Sequence, residues 1–193
     1  MVKSSIPAVI LAGGKSSRMG EDKSLLPFID GKTLAQYQYE RLLEIFDEVY
    51  ISTKEEKFSF TKNLILEDAQ EFAPTYGILQ IINTLKRPFF LIGVDVPLFS
   101  KESIKTLLDA YHKDLDGVVG SSQGRFEPLC GIYSPTIKEY ILESIESNCH
   151  RLGKIIKRAN VEVIDFKNSE EFINMNTPDL FYETKKLIEE KYV

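Results

Sequence analysis

Three short stretches carry residues whose types and spacing could do chemistry. In VILAGGKSSRMGEDK, Val9 to Lys23, an apolar run ends on two adjacent glycines, and a loop holding Lys15, Arg18 and Lys23 follows. Glycines there let backbone N–H groups approach an anion closely and accept positive φ. Arg18 could fork two hydrogen bonds to phosphate oxygens while Lys23 supplies a point charge, so the pattern suits a polyphosphate. The plainer alternative is a surface turn with solvated charges. Two familiar phosphate loops fail on spacing: five residues separate Gly14 from Gly20, Glu21 follows Gly20, and no G-x-G-x-x-G occurs. As a flexible loop lysine, Lys23 is expected to contribute little to folding.

The second stretch is FFLIGVDVPLFS, where Asp95 follows the most apolar run of the chain and Pro97 stiffens the turn behind it. A carboxylate fixed at such a point suits a Mg²⁺ that also takes substrate phosphate oxygens. Asp68, in LILEDAQ, stands in the same relation to another apolar run. The third stretch is FINMNTPDL, whose Asn174 and Asn176 alternate just ahead of a helix start. On local grounds this is a turn entering a helix, with Thr177 as cap, although alternate asparagines could also present donors and acceptors to a polar ligand. Cys149–His150 lacks a third partner at metal or protease spacing, and no G-x-S-x-G is present. Arg151, Lys154, Lys157 and Arg158 read as a solvated basic helical face that could hold an anionic second substrate.

The elements that must position these residues follow from the apolar pattern. Ile6–Ala12, Glu48–Ser52, Asn63–Glu67 and Pro88–Val94 are near-continuous apolar runs of strand length, the pattern of a sheet buried on both faces. Residues 33–46, 76–85 and 101–112 repeat their apolar positions as amphipathic helices do. Strand–helix alternation implies parallel strands joined by crossovers, hence a doubly wound α/β fold whose ligands bind beyond the carboxyl ends of the strands. After residue 115 the rhythm changes. Asp116–Ser121 and Pro128–Tyr133 predict an antiparallel pair turning near Gly124, followed by two helical stretches, a strand at 161–166 and a last helix with Pro178 at its first position.

Composition excludes several other classes. The chain has 193 residues, enough for one domain with a substantial core, and no repeat or linker divides it. A net charge of −5 argues against a general nucleic-acid or anionic-membrane surface. The N-terminal apolar run is too short to span a membrane and no signal-peptide pattern is present, while two distant cysteines suggest neither a disulfide framework nor a zinc ribbon. A reduced, cytoplasmic setting is expected.

Taken in order and spacing, LAGGKSSRMGEDK, VDVP and FINMNTPDL resemble the molybdenum cofactor guanylyltransferases of the MobA family, over essentially the whole chain. The first motif is shared by a wider set of Rossmann-like nucleotidyltransferases, and the asparagine motif is the more specific part. The resemblance implies a single-domain, mostly parallel sheet with a small antiparallel addition in the C-terminal part. About residues 1–115 would serve GTP and Mg²⁺, and about 116–193 the acceptor. It implies transfer of GMP from GTP to molybdopterin with release of pyrophosphate. Leu11, Ala12, Gly13, Gly14, Lys23, Ser52, Asp68 and Asp95 match nucleotide-contacting positions. Arg18, Lys23 and Asp95 would carry catalysis, Asp95 the metal, and Asn174 and Asn176 the acceptor, which reverses the local reading of those two residues. GTP and molybdopterin are the implied partners, without nucleic acid or membrane, alongside transient contacts with other cofactor-biosynthesis proteins or molybdoenzyme chaperones. Departures exist: Ser52 stands where some members carry asparagine, PTYGI replaces GPLAGI, and Val94 replaces a frequent cysteine. A cytidylyltransferase, a sugar-phosphate guanylyltransferase or a GTP-binding module without catalysis stay open as alternatives.

Overall fold

The computed structural model describes residues 3–14, 20–69, 71 and 73–192. Four strands come first: β1 (Ala8–Leu11), β2 (Val49–Thr53), β3 (Leu64–Leu66) and β4 (Phe89–Gly93). They are joined through α1 (Leu34–Leu43) and α2 (Pro74–Leu85), and α3 (Lys101–Ala110) follows β4. The C-terminal part adds β5 (Gly117–Ser122), β6 (Arg125–Tyr133), α4 (Lys138–Glu146), α5 (Leu152–Ile156), β7 (Val161–Asp165) and α6 (Pro178–Tyr192). The seven strands form one sheet in the order β3-β2-β1-β4-β6-β5-β7. Only β6 runs against the rest, pairing antiparallel with both β4 and β5.

The expected doubly wound sheet and its antiparallel addition are therefore both present, with strand limits displaced by at most three residues. The apolar runs explain themselves in section. Along β1 and β4, Ala8, Ile10, Phe90 and Ile92 enter one core with α1, α3 and α6. Val9, Phe89 and Leu91 enter the other core with α2, α4 and α5. Strands buried on both faces have no polar side to alternate with. Each of the larger side chains among them contributes roughly 2 kcal/mol by leaving water.

Local chemistry sets the ends of the elements. Thr33 Oγ1 accepts from Gln36 N at 3.3 Å and Ser100 Oγ from Ser103 N at 3.1 Å, capping α1 and α3. Gln123 and Gly124, with φ of 52° and 74°, form the two-residue turn between β5 and β6. The register jumps from Val119↔Gly131 to Gly120↔Glu127, so β6 bulges at Pro128–Cys130, where a proline has no N–H to give a ladder. The order β3-β2-β1-β4 makes β1 and β4 the point where the winding reverses, and the crevice for a ligand opens beyond their carboxyl ends.

Candidate functional site

Three segments distant in sequence meet at that crevice. Beyond β1 come Ala12, Gly13 and Gly14; Lys15 and Arg18 lie outside the described residues. The chain returns at Gly20, with φ of 74°, and Asp22 starts a single 3₁₀ turn, Lys23–Leu25. Asp22 Oδ1 accepts from Ser24 N at 3.0 Å and from Ser24 Oγ at 2.6 Å, while Lys57 pairs with its other oxygen. Burial alone would raise the Asp22 carboxyl, but the bonds from Lys57 and Ser24 outweigh it and hold the group below its ordinary value.

That turn aims Lys23 inward. Its ammonium forms an ion pair with Asp95 Oδ2 and donates to Asn176 Oδ1 at 3.0 Å. Lys23 is 9% exposed and Asp95 8%. The expectation of a flexible surface lysine is thus corrected: this lysine is a buried member of an ion pair. Asp95 sits two residues past β4, and a Cβ on Gly93 would stand 2.6 Å from its Oδ1. The strand end must be glycine for the carboxylate to fold back over it.

The asparagines reach the site through the backbone. Met175 N donates to the carbonyl of Asp95 at 3.0 Å, and the fully buried Met175 side chain anchors the segment in the core. Asn174 and Asn176 therefore flank a fixed point beside Asp95. Asn176 takes the Lys23 bond, and Asn174 Oδ1 is buried without a partner among the described residues. FINMNTPDL enters a helix, with Thr177 accepting from Leu180 N at 3.4 Å, and also touches Lys23 through Asn176.

On the other side of Gly13 the structure brings in a residue that sequence reasoning passed over. Buried Ser52, at the end of β2, donates to Glu67 Oε1 at 2.8 Å, and Glu67 lines a cleft with Leu11, Gly13, Gly14, Ala73 and Pro74. Asp68, the expected contact, is exposed one residue further on. Glu127 on β6 is half-buried, and burial raises its carboxyl, opposed by Arg125. His150 is held by a 2.7 Å bond between its Nδ1 and Thr75 Oγ1 and packs on Tyr76 at 5.2 Å. In the basic stretch of α5 and its end, Arg158 pairs with Glu143 and lies over the Tyr140 ring.

Among the described residues no three His, Cys, Asp or Glu side chains gather to hold a metal. A cation at Asp95 would take one protein carboxylate and fill its shell from phosphate oxygens and water, which is how Mg²⁺ is held at phosphoryl-transfer sites. The oxygen donor and the neighbouring glycine strand end fit that ion.

The sheet order, with a glycine turn, a lysine and an aspartate gathered at its carboxyl edge, defines a nucleotidyltransferase. The fold is shared with the molybdopterin-guanine dinucleotide biosynthesis protein A of Archaeoglobus fulgidus, at a TM-score of 0.81 and 18% identity over 96% of this chain and 100% of that one. It is also shared with a CMP:2-keto-3-deoxy-manno-octonic acid synthetase, at a TM-score of 0.76 and 14% identity over 97% of this chain and 100% of that one. The chain belongs to the MobA-like NTP transferase family, whose model matches residues 8–163. It is 35% identical to the molybdenum cofactor guanylyltransferase of Helicobacter pylori strain G27, over 89% of this chain and 88% of that one. It is 32% identical to the molybdenum cofactor guanylyltransferase of Campylobacter jejuni subsp. doylei, over 91% of each. No described helix is long and apolar enough to cross a membrane.

Proposed function

We propose that this nucleotidyltransferase moves GMP from GTP to the terminal phosphate of molybdopterin, releasing pyrophosphate and forming the guanine dinucleotide cofactor. The observation that carries the reading is Lys23, which joins Asp95 to Asn176 and so ties the nucleotide motif to the C-terminal asparagine motif in one cluster.

An oxygen of the acceptor phosphate attacks the α-phosphorus in line. The new P–O bond forms as the bond to the bridging oxygen of pyrophosphate breaks, and negative charge builds on the leaving group. The protein contributes positioning and fixed positive charge; no side chain is consumed as a nucleophile. Backbone amides at Gly13 and Gly14, with Lys23 and Arg18, stabilise the phosphate charge. Asn174 and Asn176 orient the acceptor, with residues from about 116 onward forming its side of the crevice. Asp95 would hold Mg²⁺, which when bound neutralises charge on the phosphate oxygens. Both cysteines are free thiols, in keeping with a reducing, cytoplasmic setting.

A turnover assay with GTP, Mg²⁺ and molybdopterin tests the reading. Stoichiometric pyrophosphate and a guanine dinucleotide product are expected. Preference for CTP, or transfer to a sugar phosphate, would replace it by a related activity, and GTP binding without pyrophosphate release would leave a binding module.

A further inference from the structure

Glu67 occupies space that two elements leave open for it. A Cβ on Gly13 would lie 2.6 Å from Glu67 Oε1 and 2.9 Å from Oε2. A Cβ on Gly77, in the first turns of α2, would lie 3.2 Å from Oε1. Ser52 Oγ donates to Oε1 at 2.8 Å and fixes the carboxylate from behind. The remaining walls are Leu11, Ala73 and Pro74, apolar surfaces suited to the faces of a planar ring. The cleft measures about 70 Å³, room for the edge of a ring and not for a whole nucleoside.

We infer that Glu67 reads the base of the nucleotide and makes the site selective for guanine. The inference rests on the proposed guanylyl transfer and adds a residue to it. A carboxylate is acceptor-only, with two oxygens that match two adjacent donors. Guanine alone among the common bases offers two neighbouring donors on one edge, N1–H and the 2-amino group. Adenine and cytosine each put an unprotonated ring nitrogen beside their amino group, which would face the carboxylate lone pairs. Uracil has a single N–H between two carbonyls. Asp68, exposed and outside the cleft, is one methylene shorter and is not part of this contact.

Equilibrium binding of GTP, ITP, ATP and CTP, without acceptor, tests the assignment in the wild type, Glu67→Gln and Ser52→Ala. ITP lacks only the 2-amino group. Since a hydrogen bond to a charged group is worth roughly tenfold or more in affinity, the wild type should bind GTP about ten times more tightly than ITP. In E67Q the GTP affinity should fall by roughly ten- to a hundredfold and the GTP/ITP ratio should approach one. S52A, which loses only the orienting hydroxyl, should show a smaller change in the same direction. Equal affinity of the wild type for GTP and ITP would overturn the inference even if E67Q did not fold, and so would an unchanged ratio in E67Q. Preference of the wild type for CTP would overturn both this inference and guanylyl transfer. GTP selectivity lost in E67Q, in a protein that released no pyrophosphate with molybdopterin, would sustain Glu67 as the base reader while overturning the transfer reaction.

Discussion

Lys23 and Asn176, 153 residues apart, are joined by a 3.0 Å hydrogen bond at the carboxyl edge of the sheet, and the same ammonium pairs with Asp95. One lysine thus links the loop after β1, the turn after β4 and the segment before α6. Its removal should act on folding as well as on chemistry. In Lys23→Ala the Asp95 carboxylate, 8% exposed, loses its cationic partner, at a cost of roughly 1–3 kcal/mol. Turnover should fall about a hundredfold or more, as when one charge-stabilising donor is lost from a preorganised site. Thermal melting and single-turnover pyrophosphate release on one preparation check both; a native melting temperature would show that the pair adds nothing to stability.

Asp95→Asn separates charge from shape. The amide fits beside Gly93 and can still accept from Lys23, so the fold should persist with a melting temperature lowered by a few degrees. It cannot give a hard cation the anionic oxygen that such an ion prefers. Transfer at saturating GTP and Mg²⁺ should be lost, and raising the Mg²⁺ concentration should restore little. Ordinary Mg²⁺-dependent turnover in this variant would take Asp95 out of the reaction.

The two glycines of the loop make opposite demands. A methyl on Gly13 would meet the Glu67 carboxylate, whereas among the described residues nothing lies within 4 Å of one on Gly14. Gly13→Ala should therefore displace Glu67, lowering both stability and GTP affinity. Gly14→Ala should leave melting unchanged and weaken only the triphosphate, if the backbone approaches it closely. Comparing melting curves with and without GTP reads the two effects apart.

Much of the fold was legible because its strands are buried on both faces. Residues such as Phe89 to Ile92 leave no polar side, and that continuity is visible in a single sequence. The pair β5–β6 was legible from its turn, but not the bulge at Pro128–Cys130, because the longer β6 depends on pairing with two different neighbours. At the site, Asp95 was readable from its place after an apolar run. The depth of Lys23 was not, since its burial comes from partners 72 and 153 positions away. The place of Glu67 beside Asp68 was not readable, because β3 is a short edge strand whose three residues do not announce where it ends, and a shift of one residue exchanges a half-buried carboxylate for an exposed one.

Asp22 gives the protein an acid-sensitive contact next to the site. Its folded value lies below the ordinary 3.8, burial raising it and the bonds from Lys57 and Ser24 lowering it further. A depressed carboxyl contributes stability that is complete above the unfolded value and is lost as pH falls through the folded one. The wild type should accordingly lose this increment only below pH 3.8. Asp22→Asn, which still caps the turn, should unfold with a shallower dependence on pH in that range. Urea titrations at a series of acid pH values measure the slope; identical slopes would mean that the Lys57 contact is broken in solution.

Asn174 and Asn176 differ in what the protein already asks of them, and that difference can be measured. Asn176 Oδ1 is occupied by Lys23, whereas Asn174 Oδ1 is buried with no partner among the described residues. An unsatisfied buried acceptor is a cost to the folded state, so Asn174→Ala should be neutral or slightly stabilising. If that oxygen is kept for a donor on the acceptor molecule, the same change should weaken molybdopterin binding by roughly tenfold while leaving GTP affinity intact. Asn176→Asp should behave differently. It places a second carboxylate on Lys23, which the ion pair tolerates, but it also sets negative charge beside an anionic phosphate, which is unfavourable where water is scarce. Acceptor affinity should fall in both variants, melting temperature in neither, and the combined variant should bind GTP as the wild type does. Parallel titrations with GTP and with molybdopterin decide the matter, and an acceptor affinity untouched by both changes would return the two asparagines to shaping the entry of α6.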